Sequence, residues 1–76
     1  MEKAYILVSC EIGTENELAE MLRSIPEIKN ILVTYGDYDI VVEAITENSE
    51  QMDLLITSKI RKLQKIRSTI TLRVSS

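Results

Sequence analysis

An α+β sandwich, with two helices on one face of a four-stranded antiparallel sheet, is the fold class that this sequence predicts. Strand-like and helix-like stretches follow one another in the order β-α-β-β-α-β. The middle strands are joined by a short run, Thr34-Tyr35-Gly36-Asp37-Tyr38-Asp39, whose glycine and aspartates read as a β-hairpin connection. The outer pairs are separated by amphipathic stretches long enough for crossover helices, and right-handed crossovers place both helices on the same sheet face.

Lys3 to Cys10 reads as the first strand, with Ala4, Ile6, Val8 and Cys10 on one face and Tyr5, Leu7 and Ser9 on the other. Both faces are largely apolar, so both need cover. Ile12-Gly13-Thr14 makes the exit, and Thr14 with Glu17 has the spacing of a capping box. The helix that follows carries Leu18, Met21, Leu22 and Ile25 on one stripe, and Pro26 ends it by removing a backbone N–H. Ile28 to Tyr35 is the second strand and Ile40 to Thr46 the third. Between them Gly36 is free to take a positive φ, and Asp37 and Asp39 can each accept from a nearby backbone N–H. By itself this is ordinary turn chemistry, found in many hairpins that bind nothing.

Glu47-Asn48-Ser49-Glu50 supplies caps and negative charge for a second helix, from about Glu50 to Leu63, with the stripe Met52, Leu55, Ile56, Ile60 and Leu63. Leu54 falls off that stripe and reads either as an ordinary exposed leucine or as a subunit contact. Lys59, Arg61, Lys62 and Lys65 gather near the helix end, either as a solvated terminus favoured by the dipole or as a phosphate-binding patch. The last strand, Ile66 to Val74, alternates Ile66, Ser68, Ile70, Leu72 and Val74 against Arg67, Thr69, Thr71 and Arg73. Its polar side reads as a wet outer surface, or as successive hydroxyls able to donate and accept.

A chain of 76 residues is near the lower limit for one self-sufficient core and usually needs a staple. One cysteine and no histidine leave no disulfide framework and no familiar internal metal site, so no cofactor is expected and association is the staple that remains. Cys10 reads as a small buried hydrophobe. A net charge of −3 disfavours direct nucleic-acid binding. No apolar run approaches the roughly 18 residues that span a bilayer, and there is no signal-peptide pattern, so a cytoplasmic location without membrane contact is expected. With both helices on one sheet face, the apolar residues of the other face call for a second subunit packed sheet to sheet.

The element order, the hairpin Thr34 to Ile40 with its Gly-x-x-Asp core and the last-strand Thr69-x-Thr71 resemble one family. It is the effector-binding RAM domain (regulation of amino acid metabolism) of the Lrp/AsnC transcription regulators. The resemblance covers essentially the whole chain. It implies a ferredoxin-like fold and a single domain over residues 1–76. Members usually carry an N-terminal helix-turn-helix, and Met1 stands directly before the first strand here, so the chain resembles the stand-alone form found in archaea and bacteria. The resemblance further implies dimers through the sheets and larger rings, commonly of eight or ten subunits, with an amino acid effector bound between dimers. Tyr35, Gly36, Asp37, Tyr38 and Asp39 would hold the effector's α-amino and α-carboxyl groups, Thr69 and Thr71 would contribute from the last strand, and Ser58 would line the side-chain end. Co-assembly with full-length Lrp/AsnC-type regulators is implied as a route to transcriptional control. The competing readings are a small dimeric α+β barrel enzyme, which would need a general acid or base where this chain has no histidine, and a purely structural oligomer.

Overall fold

The computed structural model describes residues 1–75. The elements are β1 (Glu2–Cys10), α1 (Glu15–Arg23), β2 (Ile28–Val33), β3 (Ile40–Thr46), α2 (Ser49–Leu54) continued by a π-helical segment (Leu55–Ile60), and β4 (Ile66–Arg73). The strands form one antiparallel sheet in the order β2-β3-β1-β4. This is the expected sandwich.

The core lies between the helices and one sheet face. Ala4, Ile6, Val8 and Cys10 of β1 and Ile40, Val42 and Ala44 of β3 pack against Leu18, Ala19 and Leu22 of α1 and against Met52, Leu55, Ile56 and Ile60. Truncating a fully buried side chain such as Leu22 to Ala typically costs about 2–5 kcal/mol, a large share of the stability of so small a domain. Cys10 belongs to this core, and burial pushes its thiol above the ordinary range, which makes it an inert hydrophobe. The α1 stripe differs from the expectation in two positions, since α1 ends at Arg23 and Ile25 packs on the core from beyond it. The other is Met21, which is exposed, with Ala19 buried in its place.

The capping box expected at Thr14 and Glu17 does not form. The Thr14 hydroxyl donates back to the Glu11 carbonyl at 2.7 Å, and Glu15 accepts from the Gly13 N–H at 3.3 Å. The side-chain cap instead belongs to α2, where Asn48 Oδ1 accepts from the Gln51 N–H at 2.8 Å and Gln51 Oε1 accepts from the Glu47 N–H at 3.2 Å. Further along, the Arg61 N–H reaches the carbonyl of Ile56, five residues back, at 2.9 Å. That is the π-helical bond, and it turns the end of the helix while keeping Leu55, Ile56 and Ile60 all in the core.

In β4 the polar side is a wet surface at Arg67 and Arg73, which are exposed, but not at its threonines. Thr69 and Thr71 pair with Val8 and Ile6, and directly paired residues share a face, so both threonines point to the helix side of the sheet, where they are half-buried. Ile70 and Leu72 pair with Leu7 and Tyr5 and lie on the helix-free side, 43% and 52% exposed. A register shift pairs Cys10 with Ile66 and skips Arg67, so Ile66 returns to the core rather than sharing a face with Ile70.

Candidate functional site

The β2–β3 connection is closed at its base by four hydrogen bonds. Thr34 N–H donates to the Asp39 carbonyl at 2.8 Å, and the Thr34 hydroxyl donates to the Tyr38 carbonyl at 2.8 Å. Asp39 N–H donates to the Val8 carbonyl at 2.9 Å, and Asp39 Oδ2 accepts from the Cys10 N–H at 2.9 Å. Asp39 therefore ties the hairpin to the end of β1 through both backbone and side chain. Of the two aspartates expected to bond a backbone N–H, it is the one that does so. Above this base Tyr35, Gly36 and Asp37 are exposed, while Tyr38 and Asp39 are half-buried. The result is a fixed base carrying a solvent-facing tip.

Gly36 has φ +120°, and a Cβ built there meets nothing within 4 Å. The position is open in space but closed to ordinary side chains by backbone strain. Gly36→Val is expected to lower stability by about 1–3 kcal/mol through strain alone. Urea unfolding of the variant checks this, and an unchanged midpoint would show that the tip relaxes freely.

Thr69 stands in the same row as Val8 and Ile40, at the base of the hairpin, about 10 Å across β1 from β3. Thr71 lies one step further along the strand, in the row of Ile6 and Val42. Thr69 lines a shallow depression of about 320 Å³ with Arg61, Ile66, Arg67 and Ser68. Ser58 lines another, of about 420 Å³, with Glu27, Gln51, Leu54, Leu55 and Lys59. Neither depression includes a hairpin residue. Within one chain the structure brings Thr69 to the hairpin end of the sheet and leaves Ser58 in a separate hollow.

The helix-free sheet face is the contiguous apolar surface expected from the sequence, and it also carries a polar group that the sequence reading missed. Leu32, Val41, Leu7 and Ile70 form an unbroken apolar row across all four strands. The adjacent row runs Asn30, Glu43, Tyr5, Leu72. At its centre Glu43 Oε2 takes the Lys3 ammonium at 3.0 Å and the Tyr5 hydroxyl at 3.1 Å, and Lys3 lies 5.4 Å from the Tyr5 ring centre. Among the paired residues of the strands, Lys3 and Glu43 are the only charged ones on this face. The available signal was Glu43 standing among apolar neighbours on β3 at the period that puts it beside Tyr5. Two further ion pairs join elements elsewhere: Lys59 with Glu27 at 3.2 Å, and Arg73 with Asp53, linking β4 to α2.

The Lys3 hydrogen bond, with that from Tyr5, holds the Glu43 carboxyl below the ordinary range, and the same bond raises Lys3. Glu27 is also lowered, first by its own backbone N–H and then by Lys59. As pH falls, the unfolded chain takes up protons at these carboxylates before the folded chain does. Their contribution is therefore full above the ordinary carboxylate value of about 4.3 and is lost as pH drops through the depressed folded values. Lys3 acts at the other end: its contribution is full below the ordinary lysine value of about 10.4 and is lost above the raised one. The melting temperature is expected to fall below about pH 4, with a shallower fall in Glu43→Gln; identical acid limbs would assign the acid sensitivity to other groups.

Among the described residues no group of three or more metal-ligating side chains is placed to hold an ion, and no helix is long and apolar enough to cross a membrane. The structure defines a class first, an α+β domain of ferredoxin-like topology with one sheet face left without helices. Within that class the chain belongs to the Lrp/AsnC ligand binding domain family, whose model matches residues 3–76.

The chain is 36% identical over 73 residues to the HTH-type transcriptional regulator FL11 of Pyrococcus furiosus, a match covering 93% of this chain and 48% of that regulator. It thus spans about half the length of that relative. The crystal structure of hypothetical protein PHS023 from Pyrococcus horikoshii is 39% identical, with a TM-score of 0.94 over 97% of this chain and 89% of that one. The transcriptional regulator NMB0573 of Neisseria meningitidis, solved as a complex with L-Met, shares the fold at 17% identity, with a TM-score of 0.88 over 99% of this chain and 50% of that one. The family is regulatory, so the small-enzyme alternative falls away.

Proposed function

We propose that this chain is an amino-acid-sensing module that acts through assembly. The effector is a free amino acid held between dimers, with Tyr35, Gly36, Asp37, Tyr38 and Asp39 meeting its α-amino and α-carboxyl groups. Thr69 and Thr71 add hydroxyls from β4, and Ser58 lines the side-chain end. The observation that carries this reading is the hairpin, whose base is fixed by hydrogen bonds while its glycine–aspartate tip faces solvent. Such a turn is organised before ligand arrives, offering N–H groups to a carboxylate and an acidic side chain to an ammonium. Ser58 lies apart from the hairpin in one chain, which fits a pocket completed by a second subunit. Family membership and the L-Met complex of the Neisseria relative support an amino acid as the ligand.

Assembly in this reading starts with dimers through the helix-free sheet faces and continues to rings of eight or ten. Full-length regulators of the family are the partners through which it reaches DNA, since the acidic chain lacks the positive field that DNA binding requires. A thermal-shift screen of the twenty amino acids tests the proposal. A ligand bound only by the folded state raises stability by RT ln(1 + [L]/Kd), about 2.7 kcal/mol at a hundredfold excess over Kd. One or a few amino acids are expected to raise the melting temperature, and twenty flat traces at millimolar concentration would remove the sensing role.

A further inference from the structure

We infer that the Lys3–Glu43 pair on the helix-free sheet face selects the dimer partner, by making that face electrically self-complementary for a second copy of this chain. The inference rests on the sheet-to-sheet dimer proposed above and concerns what decides which face pairs with which.

In a two-fold dimer the same patch meets itself, so any net charge it carries is set against an equal charge of the same sign. The chain as a whole is at −3, yet the paired positions of its helix-free face sum to zero, because Lys3 and Glu43 are the only charged residues among them and they neutralise each other. They sit on β1 and β3, the two central strands, with Lys3 toward the end of the sheet where β1 begins and Glu43 one row further in. Glu43 is the more enclosed partner, with its side chain 23% exposed against 41% for Lys3. Its Oε2 is met within the protomer, by the Lys3 ammonium and the Tyr5 hydroxyl. A covering sheet needs to bring no counter-charge. It needs only an apolar row to meet Leu32, Val41, Leu7 and Ile70, and no unbalanced charge of its own. A second copy meets both conditions by construction. A sheet face carrying one net charge meets an ion pair it cannot complement and is disfavoured, since unpaired charge in a desolvated contact is penalised heavily.

Charge reversal gives the test. Lys3→Glu makes the face doubly negative, and Glu43→Lys makes it doubly positive. Sedimentation equilibrium of wild type, each variant, their equimolar mixture and the swapped double variant (Lys3→Glu with Glu43→Lys) gives the association constants, with circular dichroism recording folding. Each single variant is expected to self-associate more weakly by on the order of a hundredfold. The mixture should form heterodimers at near wild-type strength, and the swapped variant, neutral again, should recover self-association. Single variants that dimerise like wild type would overturn the inference. So would a mixture that fails to associate, whether or not the single variants fold alone, because oppositely charged faces should then stabilise each other. A monomeric wild type would instead remove the dimer reading itself, an outcome distinct from either.

Discussion

Leu7→Lys is expected to convert the protein to monomer and to lower its melting temperature sharply. Leu7 stands on central strand β1, in the middle of the apolar row between Val41 and Ile70, and is half-buried even in one chain. The one acidic residue within diagonal reach of a lysine there is Glu43, whose Oε2 already accepts from Lys3 and Tyr5. Its long stem escapes to water only if no second sheet covers it. The cost of enclosing the charge is several kcal/mol, so association at micromolar concentration should be lost, a weakening on the order of a thousandfold. Sedimentation velocity of wild type and variant decides it. An unchanged oligomer would mean that subunits meet through some other surface.

Asp39 offers the second large effect, because it has a scaffolding role distinct from the proposed ligand contact. Asp39→Ala removes the carboxylate that accepts the Cys10 N–H at 2.9 Å, leaving a partly buried donor unpaired. A loss of about 1.5–3 kcal/mol is expected, on the order of 10 °C in melting temperature for a domain of this size. Asp39→Asn keeps an oxygen at the same place and should retain most of that stability. If the Asp39 charge also meets an effector ammonium, Asp39→Asn should still weaken amino-acid binding by roughly ten- to hundredfold. Calorimetric titration of Asp39→Asn and Asp37→Asn against wild type separates the roles. Loss confined to Asp37→Asn would make Asp39 a strut and Asp37 the ammonium partner, whereas equal affinity in all three would take both aspartates out of the site.

The order of elements was legible in the sequence because each carries a clear period, and Ile40 to Thr46 was read to its ends. The hidden parts share a cause. Alternation in β4 separates Ile70 and Leu72 from Thr69 and Thr71, but which set meets the helices depends on registry with β1, a non-local fact. The skipped Arg67 then moved Ile66 to the other side, and a single inserted residue leaves no mark on composition. The π-helical end of α2 was invisible for a related reason, since Leu55, Ile56 and Ile60 suit an α-helical stripe equally well. At Thr14 and Glu17 the capping spacing was present, but the Thr14 hydroxyl went to Glu11 instead. The hairpin was the most legible part of the site, because Gly36 and Asp39 announce their backbone roles by residue type. The tie from Asp39 to Cys10 spans 29 positions, and sequence spacing holds no information about it.

The strand order has a consequence for how the chain comes to be folded. Of the four strands β1 comes first in sequence, yet it sits inside the sheet, and its neighbours are β3 and β4, the latter the last of the four. No early fragment can complete it. A nascent chain must hold Ala4, Ile6 and Val8 unpaired on one edge until the C-terminal strand emerges, so the sheet closes in one late, cooperative step dominated by contacts distant in sequence. Refolding is accordingly expected to be slower than that of helical bundles, in the intermediate range of mixed α and β topologies. A break anywhere between β3 and β4 deprives the central strand of one of its two neighbours, and the resulting pieces can reach the native sheet only by finding each other.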